Sequence, residues 1–468
     1  MSDSTHYDLV IIGSGSAAFA TAIEARRKDA TVLMIEEGVV GGTCVNVGCV
    51  PSKALLVAGE TRHIALDQHF PGITTTADHV DMSELIAGKD DIVNELRGEK
   101  YVGLAELYGF QILHGHAKFV AGPALEVNGE RIEGDHYVIA TGASAWIPPI
   151  EGLDEVGYLT STTAMELDHV PTSLVVIGGN AVGLEQGQLF AHLGAEVTVV
   201  ETLARIAPFE EPEISDALTT IFADEGIIVR SGVTVSKVER DGDKVVVSLD
   251  SSSGREQIRV AAVLVATGRR PSTANLDLET VGVTIGQRGE VVVDQELRTS
   301  NSKIFAAGDV TGLPQFVYVA GKHGAVVADN AISNAGRTVD YRTMPRVTFT
   351  SPAIASVGMT DEEANESGLI CECRVLPLAY VPRAIVNRDT RGLAKIVTER
   401  ESGRILGVHL LAEGAGDAIL AAIYAMDAGF TVQQLADAWC PYLTMSEAIK
   451  LTAQSFTRDV AALSCCAS

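Results

Sequence analysis

A unit of strand, glycine-rich turn, helix and second strand ending in an acid occurs twice in this chain, and nothing else in the sequence restricts the fold as strongly. In the first copy Asp8–Ile12 reads as a buried strand, followed by Gly13-Ser14-Gly15-Ser16-Ala17-Ala18. Residues 18–27 have helical spacing, and residues 30–36 form a second strand closing on Glu36, 23 residues after Gly13. In such a unit Gly13 and Gly15 let backbone approach a pyrophosphate, the helix N-terminus stabilises its charge, and Glu36 binds a ribose hydroxyl. Ala18 takes the place of the third glycine. The second copy spans residues 173–201, with Gly178 and Gly183 holding the turn and Glu201 closing the strand. Asn180 stands where a second glycine is expected, on the reasoning that Asn tolerates positive φ. Two such units imply two nucleotides and an α/β fold built from two Rossmann-like domains.

Composition narrows the partners. A formal net charge of −26 argues against nucleic acid and anionic membrane. No apolar run approaches the roughly 20 residues of a membrane span, and the N-terminus has no basic region before its apolar segment, so no signal peptide is read there and a cytoplasmic enzyme is expected. Residues 339–468 have a different texture, mixed strands followed by helices with no nucleotide turn, and read as a C-terminal α+β domain.

The cysteines carry the chemistry. Seven, at 44, 49, 371, 373, 440, 465 and 466, are too few and uneven for a secreted disulfide framework. In "GGTCVNVGCVPSK" (41–53), a helix beginning near Cys44 would place Cys44 and Cys49 close enough for a disulfide; two buried small residues are the plainer alternative. The chain ends "LSCCAS", an adjacent pair near an ordinarily exposed terminus. Cys371 and Cys373 alternate along an expected strand and share a face, as interior residues or as a further metal pair; Cys440 reads as structural.

The 41–53 segment resembles the redox-disulfide motif of the flavoprotein pyridine nucleotide–disulfide oxidoreductases, and "ATG" (140–142), "VATGRRP" (265–271) and "IFAAGD" (304–309) resemble their further motifs. The resemblance covers essentially the whole chain. It implies an FAD domain at 1–150 that returns at 271–338, an NAD(P)H domain at 151–270, and a dimerisation domain at 339–468. It implies FAD on Gly13, Gly15, Ala18, Glu36, Gly42, Thr43, Lys53, Thr141, Gly142, Gly268 and Asp309, and a nicotinamide nucleotide on Gly178, Gly183 and Glu201. It further implies that Lys53 pairs with Glu185 beside the flavin and that electrons leave the nicotinamide for the Cys44–Cys49 pair.

Disulfide-reducing members supply a C-terminal histidine for proton transfer. Here "PYLTMSEA" (441–448) puts Tyr442 in that place, and no histidine follows His409. A phenol of pKa about 10 is a poor acid–base catalyst at neutral pH. "PYLTM" and "SCCAS" resemble the mercury-reducing branch of the family. Hg(II) is a soft cation preferring thiolates, and its reduction needs no thiol leaving group. The implied route passes Hg(II) from Cys465 and Cys466 of one subunit of a homodimer, past Tyr442, to Cys44 and Cys49 of the other. Glu201 with Thr202 favours NADH, since a carboxylate repels a 2′-phosphate, while the resemblance favours NADPH. The alternatives are a thioredoxin-reductase-like or dihydrolipoamide-dehydrogenase-like disulfide oxidoreductase, and a non-catalytic thiol module that sequesters soft metals.

Overall fold

The computed structural model describes residues 6–77 and 79–462. They fall into two compact units. The first takes residues up to Ala54, Glu84–Trp146 and Gly268–Val339; the second takes Leu55–Ser83, Ile147–Thr267 and residues from Asp340 onward.

The first unit begins with β1 (His6–Ile12), α1 (Ser16–Arg26) and β2 (Val32–Glu36). Continuous apolar runs such as Leu9–Ile12 and Val32–Ile35 suit strands buried on both faces. β1 lies between β2 and strand Glu130–Ile139, parallel to both, with Leu9 opposite Val32 and Ile12 opposite Ile139. Gln111–His114 and Ile304–Ala306 extend the parallel sheet on either side. α1 packs closely on helix Val317–Ser333: a Cβ added at Gly324 would lie 2.4 Å from the Ala17 carbonyl oxygen. The sheet carries an apolar core on each face, Leu9 and Ile11 packing into one and Val10 and Ile12 into the other.

The second unit repeats the pattern in a parallel sheet ordered Ile228–Ser231, Glu196–Glu201, Ser173–Ile177, Ala262–Val265 and Leu159–Thr160. Its C-terminal part is an antiparallel sheet ordered Pro345–Thr348, Ala353–Gly358, Ile405–Ala412, Leu393–Glu399 and Cys371–Pro377. Helices Ala415–Asp427 and Glu447–Gln454 cover it over a second core. Among the described residues no helix is long and apolar enough to cross a membrane.

Two local expectations change. Asn180 does not adopt positive φ: at φ −112° and ψ −176° it is extended, as is Gly15 at φ −76° and ψ −174°. Both residues immediately precede a helix, where extended backbone is the rule. The positive φ falls on the residue following each strand, Gly13 at +101° and Gly178 at +113°. The cysteine segment is also not one helix. α2 (Gly42–Asn46) stops at Val47, and α3 (Cys49–Leu66) opens at Cys49. Gly48 makes the break possible, because a Cβ there would lie 2.9 Å from the Thr43 carbonyl oxygen.

Candidate active site

The first glycine turn is a cradle shaped by backbone contacts. A Cβ at Gly13 would meet the Ala140 oxygen at 2.4 Å, and one at Gly42 would meet the Gly15 Cα at 2.6 Å. At Ala18, by contrast, a methyl fits and is fully buried. Glu36 accepts hydrogen bonds from the Ser14 hydroxyl at 2.6 Å and the Gly38 N–H at 2.7 Å, while Ser14 Oγ also accepts from the Gly41 N–H at 3.1 Å. Ser14 therefore ties the expected ribose-binding acid to the cysteine segment. Opposite, Thr141 Oγ1 donates to the Ser272 oxygen at 2.7 Å, and Gly142 and Gly268 both take positive φ. A turn stripped of side chains, facing a helix N-terminus and a carboxylate, fits a dinucleotide pyrophosphate and ribose.

Cys44 sits on α2 and Cys49 at the start of α3, both half-buried free thiols whose side chains hydrogen-bond to each other. That hydrogen bond and burial hold the proton on Cys44, with Lys53 pulling the other way. Three further residues of the first unit bear on this site. Arg269 is half-buried, donates to the Ala143 oxygen and reaches Thr43 Oγ1 at 3.4 Å. Burial lowers its pKa, while the charges of Asp309 and Cys49 act to raise it. Tyr101, on a turn of π-helix at Gly98–Val102, stacks edge-on against Phe19 at 4.9 Å and hydrogen-bonds to Ser16. Burial and both cysteine sulfurs push its phenol upward. His323, fully buried, accepts the Gly308 N–H at Nδ1 (3.1 Å), fixing the turn that presents Asp309. Burial raises the Asp309 carboxyl, with Arg269 opposing. Arg269 lay within a quoted motif; Tyr101 and His323 carried no spacing signal.

In the second unit, Gly178 and Gly183 interlock: a Cβ at Gly183 would lie 1.9 Å from the Gly178 oxygen. Glu201, buried, accepts from the Gly179 N–H at 2.7 Å and the Leu203 N–H at 2.8 Å. Each unit's strand-ending acid thus accepts the N–H two residues later. Glu185 is buried and accepts from the Phe349 N–H at 2.9 Å. Lys53 belongs to the first unit and Glu185 to the second. Tyr442 is half-exposed. Glu447 accepts from the Leu443 N–H at 2.8 Å, and burial pushes its carboxyl upward. Cys440 is half-buried, its thiol pushed up by burial and by Glu447. Cys465 and Cys466 lie outside the described residues.

Residues 7–324 match the pyridine nucleotide-disulphide oxidoreductase family and residues 344–453 match its dimerisation domain. The chain belongs to that family of oxidoreductases, which use FAD and a nicotinamide nucleotide. It is 56% identical to a mercuric reductase of Streptomyces lividans over 99% of both chains. It is 49% identical to one of Bacillus cereus, covering 98% of this chain and 73% of that one. Among solved structures it is similar to the Cu(II) complex of the HOCl-induced flavoprotein disulfide reductase RclA from Escherichia coli, with TM-score 0.87 and 32% identity over 97% of this chain and 100% of that one.

Proposed function

We propose that this protein reduces Hg(II) to Hg(0) with electrons from NAD(P)H, binding the metal at Cys44 and Cys49. The observation that carries the reading is the pair of half-buried, hydrogen-bonded thiols in a chain that carries Tyr442 where disulfide-reducing relatives carry an imidazole. Glu447, five residues after Tyr442, accepts the Leu443 backbone N–H. Two sulfurs can hold a soft cation without a proton shuttle, because no thiol has to leave as a product.

Gly13, Gly15, Gly42, Glu36, Thr141, Gly142, Gly268 and Asp309 would hold FAD, and Ala18 and Thr43 line the same segments. FAD, when bound, relays electrons between the nicotinamide and the dithiol. Arg269 keeps positive charge beside Cys49 and so favours its thiolate as metal ligand. Gly178, Gly183 and Glu201 would hold the nicotinamide nucleotide. With its carboxylate anchored to the turn, Glu201 repels a 2′-phosphate, and NADH is a competent donor.

In this reading the chain is a homodimer, and Cys465 and Cys466 collect Hg(II) and pass it by thiolate exchange past Tyr442 to Cys44 and Cys49. The test is NAD(P)H oxidation in excess small thiol, with and without Hg(II), beside a lipoyl or thioredoxin disulfide. Oxidation that follows Hg(II) and disappears in Cys49→Ser supports the reading. Faster oxidation with either disulfide than with Hg(II) overturns it in favour of a disulfide reductase.

A further inference from the structure

Cys371 and Cys373 lie outside the machinery above, and their setting differs from that of ordinary core cysteines. They open strand Cys371–Pro377, the edge strand of the C-terminal sheet, paired on one side with Leu393–Glu399 so that Cys371 faces Glu399 and Cys373 faces Val397. Residues two apart on a strand project to the same face. That face packs beneath helix Asp361–Glu366 against Ala364, Leu369, Val397 and Leu406. Both thiols are half-buried, and their side chains hydrogen-bond to each other. Cys371 Sγ also lies 3.5 Å from Asn365 Oδ1 and 3.9 Å from the Asp361 oxygen. Two sulfurs and two oxygens therefore converge at a sheet edge. Beside them Asp361, Glu211 and Glu213 surround Lys395, in a chain of net charge −26 that attracts cations.

Geometry favours chelation over oxidation. Cα atoms two apart in an extended strand are about 6.7 Å apart, near the upper end of the span a disulfide bridges. Metal–sulfur bonds of about 2.3 Å, as for zinc, let a single ion link sulfurs up to about 4.6 Å apart. Thiols already in hydrogen-bond contact need only side-chain rotation to reach that arrangement.

We infer that Cys371 and Cys373 form a second soft-metal site, which takes Hg(II) from its small-thiol complexes and holds it apart from the Cys44/Cys49 pair. In the exchange two Hg–S bonds to the small thiol break, two Hg–S bonds to Cys371 and Cys373 form, and the two cysteine protons pass to the departing thiolates. The oxidation state does not change. The site does not depend on whether the chain reduces mercury, so NAD(P)H oxidation by the unaltered chain, measured alongside, separates failure of one proposal from failure of the other.

The test uses the full chain with Cys44, Cys49, Cys465 and Cys466 changed to Ala and Cys440 left in place, loaded with Hg(II) in excess glutathione and freed of it by gel filtration. Expected is one Hg(II) retained per chain, with thiolate-to-mercury absorbance in the ultraviolet, falling at least tenfold when Cys371→Ser and Cys373→Ser are added. Retention of no mercury, or retention unchanged by those two substitutions, overturns the site. A second arm needs no variant: Hg(II) should protect Cys371 and Cys373 of the unaltered chain from alkylation, read by mass spectrometry. Equal alkylation with and without Hg(II) overturns it as well.

Discussion

His323 shows what one side chain does to the first unit. Its ring accepts the Gly308 N–H, and burial lowers its pKa from 6.5 to about 4. The unfolded chain therefore takes up a proton near pH 6.5 that the folded protein refuses until about pH 4. The sign follows: this contribution is complete above pH 6.5 and is lost as pH falls toward 4. By linkage it amounts to about 3 kcal/mol. Thermal melts from pH 7 down to 4.5 should show a steeper loss of stability in the wild type than in His323→Gln; parallel curves would contradict the assignment. Glu201 makes the complementary prediction for specificity. Glu201→Ala should raise kcat/KM for NADPH relative to NADH by about tenfold, equivalent to about 1.4 kcal/mol of relieved repulsion; an NADPH preference that the substitution leaves unchanged would contradict it. At this scale the glycine turns were legible because their demands are local: positive φ at Gly13 and Gly178, and backbone contact at Gly183. Tyr101 and His323 reach the site through tertiary folding, which no local pattern records, whereas Arg269 lies in the quoted 265–271 motif.

Among the elements, the C-terminal region is legible as mixed strands followed by helices, because strands such as Leu393–Glu399 and Ile405–Ala412 are largely apolar runs ended by turn residues. The break between α2 and α3 was not read, because it depends on the close pass of Gly48 against Thr43. The link between helix Pro212–Asp224 and the C-terminal sheet was also unread. There Lys395, almost fully buried, donates to Glu211 at 2.8 Å, Glu213 at 3.0 Å and Asp361 at 2.8 Å. Glu211 has no exposed surface, and burial raises its carboxyl despite this lysine. Removing the cation leaves that charge buried. Lys395→Met should therefore cost about 3–5 kcal/mol, read as a lowered Tm, and Lys395→Met/Glu211→Gln should recover part of it. A Tm within a degree of wild type in Lys395→Met would contradict this reading.

For the whole molecule, the proposal requires two subunits. Trp439 is fully exposed in the described chain and Tyr424 is 64% exposed, both within the matched dimerisation domain. Large aromatic side chains left in water are typical anchors of an interface. Trp439→Glu should move the sedimenting species from dimer toward monomer; an unchanged dimer would place the interface elsewhere. The two-domain nucleotide plan was legible from the repeated unit alone, whereas partner contributions depend on surfaces that one chain's periodicity does not describe. The central claim is that electrons delivered by the nicotinamide end on a thiolate-bound heavy metal, and it is tested most directly by counting product. With Hg(II) in excess thiol, each NAD(P)H oxidised should release one volatile Hg(0), and Cys44→Ser/Cys49→Ser should release none. NAD(P)H consumption without mercury vapour, or vapour undiminished in that variant, would contradict the account.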